Sequence, residues 1–181
     1  MLISVGDTEY RLTSLERGVK FDLDGDGELE KTAWTAAGSD DALLVLDRNF
    51  NGTIDNGLEI FGDETAQLPS PEPNGFKALA VFDDPASGGN SDGKIDSADS
   101  IFGWLMLWID ANHDGRSDQG ELSGLEGVVS AIHLSYQVSL SQDEFGNDLR
   151  FWAPIDRTFG SGGAVVAWNV FFNNRGSMVK Q

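Results

Sequence analysis

The sequence predicts an α+β fold: short strands and helices threaded by several EF-hand-like calcium loops, with a C-terminal β-hairpin. Three observations carry that expectation. An Asp/Asn-Gly context recurs four times, as DLDGDG at 22–27, DRNFNG at 47–52, NSDG at 90–93 and DANHDG at 110–115. Brief apolar runs separate these loops, some spaced like strands and some like helices. Finally, 40% hydrophobic residues coexist with a net charge of -18, a foldable chain whose counter-charge is not encoded in the polypeptide.

The elements follow in order. VKF before the first loop and ALLVL at 42–46 before the second read as strands. GFKALAVF at 75–82 has helical spacing, and SADSIFGW at 97–104 offers a serine suited to capping a second helix. IFGWLMLWI at 101–109 reads as buried core, too short for the roughly 18–20 residues of a membrane span. LPSPEPNG and DDPASGGNSDG are surface loops. AIHLSYQVSL and LRFWAPI flank the turn SQDEFGND as a hairpin, and AVVAWNVFF at 164–172 adds a strand. The 181 residues are read as one domain: an N-terminal strand region 1–20, a calcium-loop region 21–125 and a β-rich region 126–181.

Composition excludes several functions. With 30 acidic against 12 basic residues, nucleic acid and anionic membrane surfaces are poor partners. Without cysteine there is no disulfide, thiolate metal site or thiol catalysis. Met1 leads almost directly into the domain, so export is expected to use another signal or a longer chain.

Calcium takes six to eight oxygens, so a loop that holds it alternates carboxylates or amides, turns at a glycine, gives one carbonyl and closes with a carboxylate. DANHDGRSDQGE meets this in full: Asp110, Asn112 and Asp114 at positions 1, 3 and 5, Gly115 at 6, the Arg116 carbonyl at 7, Asp118 at 9 and Glu121 at 12. Ser117 departs from the usual aliphatic residue at position 8. In DRNFNGTIDNGLE, Asp47, Asn49, Asn51, Thr53 and Asp55 take the same places, and Glu59 closes one residue late, a delay Gly57 can absorb. The third loop reads backwards: Asn90, Asp92, Lys94, Asp96 and Asp99 fit, while position 1 falls on Gly88, so Asp83 or Asp84 must swing in. The first loop supplies Asp22, Asp24, Asp26 and the Glu28 carbonyl. Its position 12 is Ala33, leaving Glu30, or Asp40 and Asp41, to close it. Three to four calcium ions are expected.

This order of motifs, FDLDGDG, SDDALLVLDRNFNGTIDNGLEIFGD, NGFKALAVFD, NSDGKID, LWIDANHDGRSDQGEL and IHLSY, resembles a calcium-binding module of bacterial exoproteins, some RTX-like. It is also similar to the self-processing module of iron-regulated RTX-type exoproteins, over about residues 19–136. The resemblance implies secretion or surface display, calcium-dependent folding, and docking to other domains of a larger exoprotein. In self-processing relatives it further implies cleavage of an Asp-Pro bond just upstream, through attack of the Asp carboxylate on its own carbonyl. Here the one Asp-Pro, Asp84-Pro85, lies inside the third loop, and SVGDTEYRLTS has lost most ligands of the relatives' extra acidic loop. These departures set a structural or adhesive binding module ahead of self-cleavage.

His113 and His133 are not spaced as a metal pair, and no nucleophile elbow or phosphate loop is present. Clustered acids that could serve glycoside hydrolysis are taken by the loops. Trp34, Trp104, Trp108, Trp152 and Trp168 raise a surface glycan as an alternative partner, with Trp152 and Trp168 the pair whose exposure matters.

Overall fold

The computed structural model describes residues 1–6, 10–159 and 165–174. Its strands are β1 (Leu2–Ser4), β2 (Val19–Phe21), β3 (Glu30–Thr32), β4 (Asp41–Val45), β5 (Lys94–Asp96), β6 (Met106–Trp108), β7 (Leu122–Gly124), β8 (Val129–His133), β9 (Gln137–Gln142), β10 (Asp148–Arg157) and β11 (Val165–Phe171). Eight of them form one curled antiparallel sheet in the order β5-β8-β10-β11-β1-β4-β6-β7, with β9 pairing off that path to β10. β2 and β3 form a separate hairpin around the first acidic loop.

The expected α+β class is therefore corrected to a mostly β fold. One α-helix occurs among the described residues, α1 (Gly75–Ala80), held at its start by Asn74, whose side-chain oxygen accepts from the N–H groups of Phe76 and Lys77. SADSIFGW does not become a helix. Phe102 and Leu105 are buried while Trp104 between them is 61% exposed, and a single 3₁₀ turn over Phe102–Trp104 delivers the chain into β6. Nor does a pair of helices flank any acidic loop. The first lies between β2 and β3, the second follows β4, the third joins α1 to β5, and the fourth joins β6 to β7.

Alternation along the central strands explains the packing. In β4, Ala42 and Leu44 enter one core with Ile3, Leu107 and the α1 residues Phe76 and Leu79. Leu43 and Val45 enter a second core on the opposite face, with Leu2, Phe21, Trp34 and Trp108. The β2–β3 hairpin thus caps one face of the sheet and α1 the other. The segment AIHLSYQVSL divides between β8 and β9, and β9 turns back into β10 at the Asn/Asp/Gly-rich bend. Residue 164 of the expected last strand lies outside the described residues; the remainder is β11 and its continuation.

Candidate metal centre

The four acidic loops share one backbone form. Position 4 has positive φ in each, at Gly25 (75°), Phe50 (58°), Ser91 (59°) and His113 (60°). Position 6 does too, always as glycine: Gly27 (92°), Gly52 (86°), Gly93 (84°) and Gly115 (74°). Phe50 adopts this left-handed conformation at a steric cost that bulky side chains rarely bear. Its ring leans on the exposed Trp104, with centroids 5.8 Å apart.

Side-chain oxygens repeat with the same order. The first carboxylate accepts the N–H of position 6 in all four loops: Asp22 from Gly27 (3.0 Å), Asp47 from Gly52 (2.8 Å), Asp83 from Gly93 (3.0 Å) and Asp110 from Gly115 (2.9 Å). Asp24, Asn49, Asn90 and Asn112 at position 3 each accept the N–H of position 5. Asp26, Asn51, Asp92 and Asp114 at position 5 each accept the N–H of position 7, which is Glu28, Thr53, Lys94 or Arg116. The Arg116 carbonyl accepts from Asp118 N–H at 3.0 Å. The same ladder of side-chain oxygens accepting backbone N–H groups thus recurs in all four loops.

The open choices are settled by position. Asp83, ten residues ahead of Gly93, takes the first place of the third loop, and Asp84 instead caps the following 3₁₀ turn by accepting from Ala86 N–H at 2.8 Å. In the second and fourth loops the closing glutamate bridges the N–H groups of positions 2 and 9: Glu59 from Arg48 and Asp55, Glu121 from Ala111 and Asp118. In the first loop Glu30 accepts the position-2 N–H of Leu23 at 2.9 Å, and oxygens of Asp22, Asp24 and Glu30 lie within 4.8 Å of one another. Glu30 thus occupies the place that Glu59 and Glu121 hold in their loops. Asp40 and Asp41 are placed elsewhere: Asp40 pairs with Arg11 at 3.0 Å, and Asp41, on β4, accepts from the Arg11 N–H at 2.8 Å.

Residues outside the ligand pattern tie the loops together. Ile54 and Ser117 both hold position 8, and the Ile54 N–H donates to Ser117 Oγ at 2.6 Å, so the serine that breaks the aliphatic rule joins the second loop to the fourth. The Gly57 N–H donates to the Asp22 carbonyl at 2.8 Å, and a Cβ on Gly57 would stand 1.8 Å from the Leu23 carbonyl oxygen. That close approach leaves no room for a side chain at this position of the second loop. His113 bonds the Arg17 carbonyl at 2.6 Å. None of these links was visible in the spacing, although Ser117 and Gly57 were the two positions that departed from it.

Electrostatics differ between the loops. Asp55, exposed, is held below its ordinary value by bonds from Asn49 and Asn51. Asp110 is pushed up by burial, against the N–H groups of Gly115 and Asp114, with Glu121 adding repulsion. It also accepts the indole N–H of Trp34, wholly buried, at 2.9 Å. Trp34→Phe keeps an aromatic ring but removes one of the three donors to this buried carboxylate, so a loss of about 1–2 kcal/mol in urea unfolding is expected. A loss below about 0.5 kcal/mol would show that the indole N–H is dispensable.

Asp99 supplies the sharpest observation. It is 3% exposed; one carboxylate oxygen accepts from the Asp96 N–H at 2.9 Å, and the other, Oδ1, is buried without a hydrogen-bond partner. A buried carboxylate oxygen left unpaired costs free energy that a cation in the third loop would relieve. The all-oxygen donor set fits a hard divalent ion such as calcium.

These features define a β-rich module built around four acidic loops. The chain matches the SPM domain over residues 2–172, and it belongs to that family. It is 41% identical over 146 residues to the iron-regulated protein FrpA of Neisseria meningitidis serogroup C, an alignment that covers 80% of this chain and 12% of the relative. The chain thus spans a small part of that relative's length. No helix among the described residues is long and apolar enough to cross a membrane.

Proposed function

We propose that this chain is a calcium-ordered structural or adhesive module of a larger secreted or surface-exposed bacterial protein, holding three to four ions in its acidic loops. The buried, unpartnered Asp99 Oδ1 carries the reading, because it sits where a closing ligand is needed. The repeated ladder of side-chain oxygens supports it in the other loops. Extracellular sites of this kind bind at about 10⁻⁴–10⁻³ M, so the module would order on meeting external calcium. The SPM family and a bacterial relative of much greater length support a place within a larger exoprotein.

Asp99→Asn gives a test with two signs. In chelator the neutral amide removes an unpaired buried charge, and stability is expected to rise by about 1–2 kcal/mol. In calcium the same change deletes a charged ligand, and the stabilisation by the ion at that loop is expected to disappear. Paired thermal melts, with calorimetric titration of metal-stripped protein for stoichiometry, decide it. Equal effects of one sign in both buffers would remove the basis for an ion in the third loop.

The order of motifs, which resembles the self-processing module of RTX-type exoproteins, favours a second reading, calcium-dependent self-processing. In that chemistry an Asp carboxylate attacks its own carbonyl carbon, the C–N bond to proline breaks, the nitrogen takes a proton, and the anhydride is opened by water or an amine. Asp84-Pro85 suits it poorly, since Asp84 is committed to the 3₁₀ turn beside the third loop. A chain extended upstream through a native Asp-Pro bond, incubated with and without calcium and weighed, separates the readings. A glycan platform has less support: Trp152 and Trp168 pair across β10 and β11 with centroids 6.3 Å apart and are both half-buried.

A further inference from the structure

Three Asn-Gly pairs occur in the chain: Asn51-Gly52, Asn56-Gly57 and Asn74-Gly75. Such a pair is chemically fragile, because glycine has no side chain to keep its backbone nitrogen away from the preceding amide carbon. The fold shields two of them. Asn74 is buried and its oxygen caps α1, while the Gly75 N–H donates to the Asn169 side-chain oxygen at 2.7 Å. Gly57 is buried and its N–H donates to the Asp22 carbonyl, while the Asn56 oxygen accepts from Leu58 N–H at 3.0 Å. An amide or peptide oxygen is a poor base for the proton that the glycine nitrogen must lose.

Asn51-Gly52 differs at each reacting atom. Both residues are exposed, and a Cβ on Gly52 would meet nothing within 4 Å. The Gly52 N–H points at a carboxylate, Asp47 Oδ2, at 2.8 Å. Asn51 Oδ1 accepts from the Thr53 N–H at 2.9 Å and lies 2.7 Å from the Thr53 hydroxyl, the shorter of that hydroxyl's two contacts. Donors at this oxygen draw electrons from the amide carbon and favour attack on it. The amide nitrogen donates to Asp55 Oδ2 at 2.8 Å.

We propose that Asn51 is a self-modification site, where deamidation turns the amide into a carboxylate. The Gly52 nitrogen gives its proton to Asp47 and bonds to Asn51 Cγ, closing a succinimide ring. The Cγ–N bond then breaks, and the nitrogen takes the proton held by Asp47 and leaves as ammonia. Water adds to one of the two imide carbonyls and breaks its C–N bond, leaving aspartate or isoaspartate. The sum is asparagine and water giving acid and ammonia.

The product matters to the loop. The other three loops carry four carboxylates each at their ligand positions, with Asp26, Asp92 and Asp114 at position 5. The second carries three, Asp47, Asp55 and Glu59. Conversion to aspartate supplies the fourth. It also replaces an amide that donates to Asp55 with a charge that repels it, so the aged loop is expected to be weaker when empty and tighter when filled. This consequence rests on the calcium reading; the conversion itself does not.

The test incubates the metal-free 181-residue chain in mildly alkaline buffer, folded and in urea, and follows each asparagine by peptide mapping and mass spectrometry. In urea the three pairs are expected to convert at similar rates. In the folded chain Asn51 is expected to convert about tenfold faster than Asn56 and Asn74. Asp47→Asn keeps an oxygen for the Gly52 N–H but loses the base, and is expected to slow the reaction roughly tenfold or more. Thr53→Val, which removes only the hydroxyl, is expected to slow it less. An Asn51 rate no higher than the other two in the folded chain, or one that neither variant lowers, overturns the proposal. Asn51→Asp makes the product directly, and is expected to melt lower in chelator and to gain more from calcium than the unmodified chain. A calcium gain no larger than that chain's, with conversion of Asn51 intact, would count against an ion in the second loop and leave the modification standing.

Discussion

In excess chelator the chain is expected to melt about 10–20 °C below its value in millimolar calcium. At free calcium ten times Kd, each filled loop adds about 1.4 kcal/mol through linkage. Three to four loops then contribute about 4–6 kcal/mol, a large part of the 5–15 kcal/mol typical of a folded domain. A chain of this size moves roughly 2–4 °C per kcal/mol. The loops are not independent additions to a finished scaffold. Asp22 accepts from Gly57 in the second loop, Ile54 donates to Ser117 in the fourth, and Asp110 of the fourth accepts from Trp34 in the core. Emptying one is thus expected to loosen its neighbours, giving a single shifted transition. Calorimetric melts in calcium, magnesium and chelator check it: a shift below about 2 °C on chelation, or equal rescue by magnesium, would defeat the calcium reading.

The shared backbone form of the four loops was legible in the sequence because each loop carries its own geometry. Alternating Asp and Asn, a glycine at position 6 and a late acid are local requirements, and they survive in a β-rich setting that lacks flanking helices. The fold class was not legible, for two physical reasons. Most strands here are three residues long, too short to display a period of two. β4, the strand between the two cores, is buried on both faces, so DALLV shows no alternation to read. Helical spacing in SADSIFGW was misleading because a 3₁₀ turn leaves Trp104 outside the core. The choice among Glu30, Asp40 and Asp41 was likewise tertiary. The bond from Leu23 N–H, the counterpart of bonds from Arg48 and Ala111 in other loops, sets Glu30 in the matching place.

Between pH 8 and pH 5 the chain with a free Met1 amine is expected to lose about 3 kcal/mol of stability. Met1 directly precedes β1, which lies inside the sheet between β11 and β4, and is 3% exposed, so its amine is largely withdrawn from water. The amine donates to the Phe61 carbonyl, and burial lowers its value from 8.0 to about 5, with Asp63 opposing. Folded, it is neutral at pH 7; unfolded, it binds a proton below pH 8. Over that window the unfolded state binds more protons, so stability rises with pH, at about 1.4 kcal/mol per unit. Asp41 works in the opposite sense. Burial raises it above 3.8, so its contribution favours the acidic side and fades as pH climbs through its folded value. The two separate chemically. Nα-acetylation, or any residue preceding Met1, puts an uncharged peptide N–H in place of the amine and keeps a donor for Phe61. Urea unfolding in calcium at pH 5.5 and pH 8 should therefore show a steep gain for the free amine and a flat or falling line for the acetylated chain. Identical slopes for the two would mean that the amine is solvated in the folded state, and that the strand begins less deeply than its packing indicates.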